Sequence, residues 1–111
     1  MPEDITEARA GTEAAREEAP AWPLVVDGIE TGVMPGSWDD VDVLEALVDF
    51  NDPELTNDEH VTAMYRYMRL LYGDRYRQVK RDLREANGGA LSIETMANFN
   101  ARVLMAGGQK N

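Results

Sequence analysis

The chain contains no cysteine and a single histidine. The first absence rules out a disulfide framework, thiolate zinc sites and thiol catalysis. The second leaves His60 without a histidine partner for a metal or a relay. No apolar run approaches the roughly 20 residues that cross a bilayer. The opening Met1-Pro2-Glu3-Asp4 has neither a basic nor an apolar leader segment. A soluble, unexported protein with no membrane partner is therefore expected. Between Ala21 and Ala63 there is no Lys or Arg at all.

What fills that cation-free stretch is acid. It holds eleven carboxylates, and the sign then reverses from Met64 to Ala86, where seven cations face three anions. The formal net charge is −10. Charge separated along the chain in this way belongs to contact surfaces, and at this net charge nonspecific nucleic-acid binding is disfavoured. One small domain is the most that 111 residues support, and the 43% hydrophobic content is enough for a modest core.

The Glu/Ala-rich segment 1–21 has Ile5 as its one large aliphatic residue and is expected to be a disordered acidic tail. A helical domain with an N-terminal β-hairpin follows over 22–106, then a flexible tail over 107–111. Leu24-Val25-Val26 and Ile29-Glu30-Thr31 flank Asp27-Gly28, the signature of a hairpin on a type I′ turn. Ser37 is placed to cap a helix over 38–50 with Val41, Leu44, Leu47 and Val48 as its buried stripe. Thr56 or Asn57 caps a second helix carrying Val61, Met64, Tyr65, Met68, Leu71 and Tyr72 at helical spacing. Gly73 ends it and Asp74 caps a third over 75–86, with Tyr76, Val79 and Leu83 inward. Asn87-Gly88-Gly89 stops the third, and Ser92 starts a fourth with Ile93, Met96, Ala97, Phe99, Val103 and Leu104 toward the core. Gly107-Gly108 ends the fourth. The fold class is mainly α: a compact four-helix domain with a short hairpin. The acidic face of the first helix is expected to lie against arginines of the second or third.

No constellation for catalysis stands out, and no cofactor motif is present. Asp58, Glu59 and His60 are adjacent on a helix, so their side chains diverge. The loop 49–60 has a calcium-loop outline with Asp49, Asn51 and Asn57, but Pro53, Glu54 and His60 occupy the positions where such loops are strict. Ser37 and Ser92 have caps to make and no base beside them. Arg75, Arg77, Lys80, Arg81 and Arg84, interleaved with tyrosines, form either the solvated face of the third helix or a basic nucleic-acid surface. The net charge favours the first. Met64, Met68, Leu71, Tyr72, Tyr76, Met96 and Phe99 are either core or an adaptable apolar groove for a protein partner.

The run Leu70-Leu71-Tyr72-Gly73-Asp74-Arg75-Tyr76, followed by Leu83-Arg84-Glu85-Ala86-Asn87-Gly88-Gly89-Ala90-Leu91-Ser92-Ile93-Glu94, resembles the tail assembly chaperones of long-tailed bacteriophages and prophages, especially those of Gram-positive hosts. The order of features from Leu24 to Ala106 is similar, including the acid-started helix at Trp38-Asp39-Asp40 and the Asp52-Pro53 linker. The resemblance implies a non-enzymatic protein of the host bacterial cytoplasm, absent from the mature virion. It would bind the tape measure protein, keep it soluble, and release it as tail-tube protein assembles around it. Self-association stays open. The alternative from another class is a small phage-encoded regulator or DNA mimic acting through charged surfaces.

Overall fold

The Trp22–Pro23 peptide is cis, and beyond it the chain turns at once into a two-stranded hairpin in the computed structural model, which describes residues 21–108. Strands β1 (Val25–Val26) and β2 (Ile29–Glu30) pair antiparallel, Val25 opposite Glu30 and Val26 opposite Ile29. Asp27 and Gly28 both have positive φ, 55° and 79°, as a type I′ turn demands. The acidic segment expected to be disordered, 1–21, lies outside the described residues except for Ala21.

Four α-helices follow among the described residues: α1 (Val41–Phe50), α2 (Asn57–Tyr72), α3 (Tyr76–Ala86) and α4 (Ile93–Val103). The fold is mainly helical with a short hairpin at its N-terminal side. α1 packs along α2, α4 contacts α2, and α3 touches both α2 and β2. Three starts are built by side chains. Asp40 accepts from the backbone of Asp42 and Val43 at α1, Thr56 and Glu59 form a reciprocal capping box at α2, and Ser92 accepts from Thr95 at α4.

Several boundaries differ from the sequence expectation. Ser37 opens a 3₁₀ turn (Ser37–Asp39) instead of the helix, and the α-helical cap is Asp40. Asp74 caps nothing: a second 3₁₀ turn (Gly73–Arg75) leads straight into α3, whose start has no side-chain cap. With only the Gly73 φ of 54° to redirect the chain, the turn tightens and continues. Gly107 and Gly108 are not a tail. They close a π-helical turn (Leu104–Gly108) that continues α4, and the rest of the expected tail, 109–111, lies outside the described residues.

The hairpin is tied down by both faces of the chain. Thr31 is fully buried, its hydroxyl donating to the Leu24 carbonyl at 2.8 Å. Arg75 of the 3₁₀ turn donates to the Glu30 carbonyl (3.1 and 3.3 Å), and Arg102 of α4 pairs with Asp27 at 2.7 Å. Gly32, at φ 77°, lies so close to the Arg75 side chain that a Cβ would sit 2.6 Å from its Cγ. Two independent reasons therefore require glycine there. The core runs from Leu24, Val26 and Val33 through Trp38 to Met64, Met68, Tyr72, Val79, Leu83, Phe99 and Val103.

Candidate partner-binding surface

The residues expected to form an open groove form the centre of the molecule instead. Met64, Met68, Leu71, Tyr72, Met96 and Phe99 are all buried, with Met68 and Phe99 at 0% exposure. Tyr76 alone of that set is half-buried, and its ring lies 4.8 Å beneath the Lys80 ammonium. The polarizable methionines belong to the buried core cluster. As placed, the set presents no open groove, and Met64 alone borders a cleft.

The basic residues are similarly occupied. Arg75 clasps the hairpin, Lys80 covers Tyr76, Arg81 donates to the Gln78 side chain at 3.0 Å, and Arg84 donates to the Gly89 carbonyl at 3.3 Å. Arg77 is exposed. Four of the five cations are thus engaged with neighbours in the chain, and the face reads as the solvated side of α3. His60 does not join Asp58 and Glu59 either. Its Nε2 meets the Asp52 carbonyl and its ring stands edge-on to Phe50, so it pins the loop between α1 and α2. Among the described residues, no group of three or more His, Asp or Glu side chains is arranged to hold a metal ion. Nor is any helix there long and apolar enough to cross a membrane.

An open apolar row lies on α1, and it holds three of the four residues of the stripe expected to be buried; the fourth, Leu47, is half-buried against the core. Val41 is 76% exposed, Val48 66% and Leu44 43%, while the helix faces the core with Val43 and Ala46. Two apolar rows run along this helix at i, i+3, i+7 spacing, Val41-Leu44-Val48 and Val43-Ala46-Phe50. The row containing alanine is the one turned inward. Ala46, at 0% exposure, lets the α1 backbone approach α2 closely, which the bulkier row would prevent. Rotation is also fixed on the third side, where Arg66 of α2 meets Asp49 at 3.2 Å and reaches Glu45 at 3.9 Å. The expected contact between the acidic helix and an arginine of the second helix is therefore present. Asp42 and most of Glu45 stay in solvent.

Beside the open row, Leu47, Phe50, Met64, Tyr67, Ala97 and Asn100 line a cleft of about 130 Å³ between α1 and α4, floored by α2. Three polar residues line it: Asn51, whose side-chain amide donates to the Leu47 carbonyl at 2.9 Å, Tyr67 and Asn100. The Tyr67 hydroxyl accepts from Trp38 Nε1 at 2.8 Å, and Asn100 Oδ1 accepts from the Tyr72 hydroxyl at 2.6 Å. The other half of that amide, Asn100 Nδ2, is buried without a partner among the described residues. Desolvation raises the pKa of both phenols, reinforced at Tyr72 by the neighbouring Tyr67 and opposed at Tyr67 by the Trp38 bond. Both therefore stay protonated at neutral pH. A second, shallower depression of about 360 Å³ lies on the acidic side, lined by Asp49, Asp58, Glu59 and Arg66 among others. Tyr67 and Asn100 were not among the residues singled out from sequence. Their signal was positional, since Tyr67 falls between Met64 and Leu71, and Asn100 between Met96 and Val103, on the buried stripe of each helix.

No family model, curated protein or solved structure matches this chain.

Proposed function

We propose that this protein is a tail assembly chaperone that binds the tape measure protein of a long-tailed phage and keeps it soluble. The reading starts from the motif resemblance around Tyr72-Gly73-Asp74 and Asn87-Gly88-Gly89. The single structural observation that supports it is the uncovered apolar row Val41-Leu44-Val48 on a helix that is otherwise acidic. A carrier of apolar helices needs both parts: an apolar surface to hold its client, and net charge to keep the complex apart from others like it. Relocating the contact from the buried methionines to α1 leaves the role unchanged. The engagement of Arg75, Lys80, Arg81 and Arg84 within the chain weighs against a regulator reading DNA through α3.

Co-expression tests this directly. The tape measure protein encoded beside this chain should move from the pellet to the soluble fraction when the two are made together. Their complex should survive salt that dissociates electrostatic nucleic-acid complexes. If the neighbour stays insoluble while the protein binds duplex DNA, or a DNA-binding protein, only at low salt, the regulator or DNA-mimic reading replaces this one.

A further inference from the structure

We infer that the open row of α1 and the cleft beside it form one docking groove for a single amphipathic helix, cationic along one edge and carrying a hydrogen-bond acceptor in its apolar row. The identity of the partner rests on the chaperone reading. The groove itself stands on three features of the fold.

The first is that α1 has three distinct faces. Val43 and Ala46 are buried, Val41, Leu44 and Val48 are open, and Asp42, Glu45 and Asp49 form an edge along one side of the open row. Anything lying on that row with its long axis along α1 therefore meets apolar side chains flanked on one side by acid. Charge complementarity selects Lys or Arg on the matching edge of the partner. Arg66 already answers Asp49 at 3.2 Å and reaches Glu45 at 3.9 Å, so Asp42 and the exposed outer part of Glu45 are what is left to meet it.

Continuity is the second feature. Leu47, next to the open row on the helix surface, is also a wall of the cleft, so the row slopes into a recess instead of ending at a flat surface. A recess beside an apolar ridge is where an anchoring side chain of a docked helix goes.

The third is Asn100, 7% exposed, whose Nδ2 has no acceptor among the described residues although its Oδ1 is held by Tyr72. Buried amide donors are almost always paired, and the residue that carries this one lines the cleft. The backbone carbonyls of a docked helix are used internally, so the acceptor must come from a side chain such as Gln, Asn or Ser.

Other occupants fit less well. A second copy of this chain brings another net charge of −10, and in antiparallel pairing it sets its own acidic edge against this one. Segment 1–20 has six acids, two arginines and one large aliphatic residue, so it cannot supply a cationic apolar row.

The test uses the full chain and two labelled helical peptides, each with a leucine row and one central glutamine, one with a lysine edge and one with a glutamate edge. By fluorescence anisotropy the lysine peptide should bind at least about tenfold tighter than its twin. The double variant Leu44→Lys, Val48→Lys should lose that binding while melting as the parent does, because both positions are exposed. The double variant Asp42→Lys, Glu45→Lys should reverse the preference to the glutamate peptide. The Asn100 side-chain amide protons should shift on binding. Equal affinity for the two peptides, or unchanged binding by the Leu44→Lys, Val48→Lys variant, overturns the groove. The two proposals fail separately. A Leu44→Lys, Val48→Lys protein that still solubilises the tape measure protein refutes this groove and spares the chaperone. Peptide binding that follows the α1 charges, with no effect on the tape measure protein, refutes the chaperone and spares the groove.

Discussion

Tyr72 and Asn100 carry the polar chemistry of the interior. The phenol donates to Oδ1 at 2.6 Å from a position only 2% exposed. Changing Tyr72 to Phe strips Oδ1 of its donor while Nδ2 is already unpaired, so both halves of one buried amide are orphaned. Such a loss costs about 1–3 kcal/mol, and a thermal melt at pH 7 should show it. The same residue sets an alkaline limit. A phenol whose pKa is raised by burial keeps its proton in the fold when the unfolded chain has lost it. Its contribution is complete below the unfolded value of 10.0 and declines as pH rises beyond it. Tyr72 should then remove up to about 1.4 kcal/mol per pH unit, with Tyr67 acting in the same direction. Tyr72→Phe should flatten that decline, and an unchanged slope would mean that Tyr72 is already ionised in the fold. Helical spacing placed Asn100 on the buried stripe, yet its polarity argued for the surface. Only the three-dimensional partner, 28 residues earlier, resolves the conflict.

At the scale of the element, the hairpin turn and the caps at Thr56 and Ser92 are readable from sequence, while the expected caps Ser37 and Asp74 and the rotation of α1 are not. The I′ turn, the capping box at Thr56 and the Ser92 cap each depend on residues within four positions, and sequence displays such local chemistry directly. Which of two apolar rows turns inward depends on the helix it meets. The larger row was the natural expectation from hydrophobicity alone, but close approach to α2 favoured the row with Ala46. The two rows should therefore respond oppositely to conventional substitutions. Ala46→Leu forces bulk into a fully buried contact and should destabilise by about 1–3 kcal/mol. Val41→Ala, on the open row, should stay within about 0.5 kcal/mol of the parent. Urea denaturation of both variants would check this, and a costly Val41→Ala would mean that the row is covered in the free protein. Covering the row with a partner removes apolar area worth about 25 cal/mol per Å², which is the source of affinity that the docking groove offers.

For the whole molecule, the features hardest to foresee are those that join distant parts of the chain: Arg102 to Asp27, Arg75 to Glu30, Trp38 to Tyr67. None has a local signature, because the two partners lie 29 or more residues apart in the chain. The most distant of these junctions lies at the π-helical turn. A Cβ on Gly107 would come within 2.9 Å of both Trp22 and Leu24, and one on Gly108 within 2.9 Å of Trp38, so the last described turn is pressed against the first. Over residues 21–108 the chain is thus very nearly a ring, broken at one point on its circumference. Where that break falls should matter little to the architecture. A circular permutant that links Gly108 to Ala21 through a short glycine-serine bridge, and opens instead between Gly88 and Gly89, should keep the parent's far-ultraviolet circular dichroism and a cooperative melt. Loss of both would show that the two ends need to be separate chain ends, and that contact across the junction is not enough to close the fold.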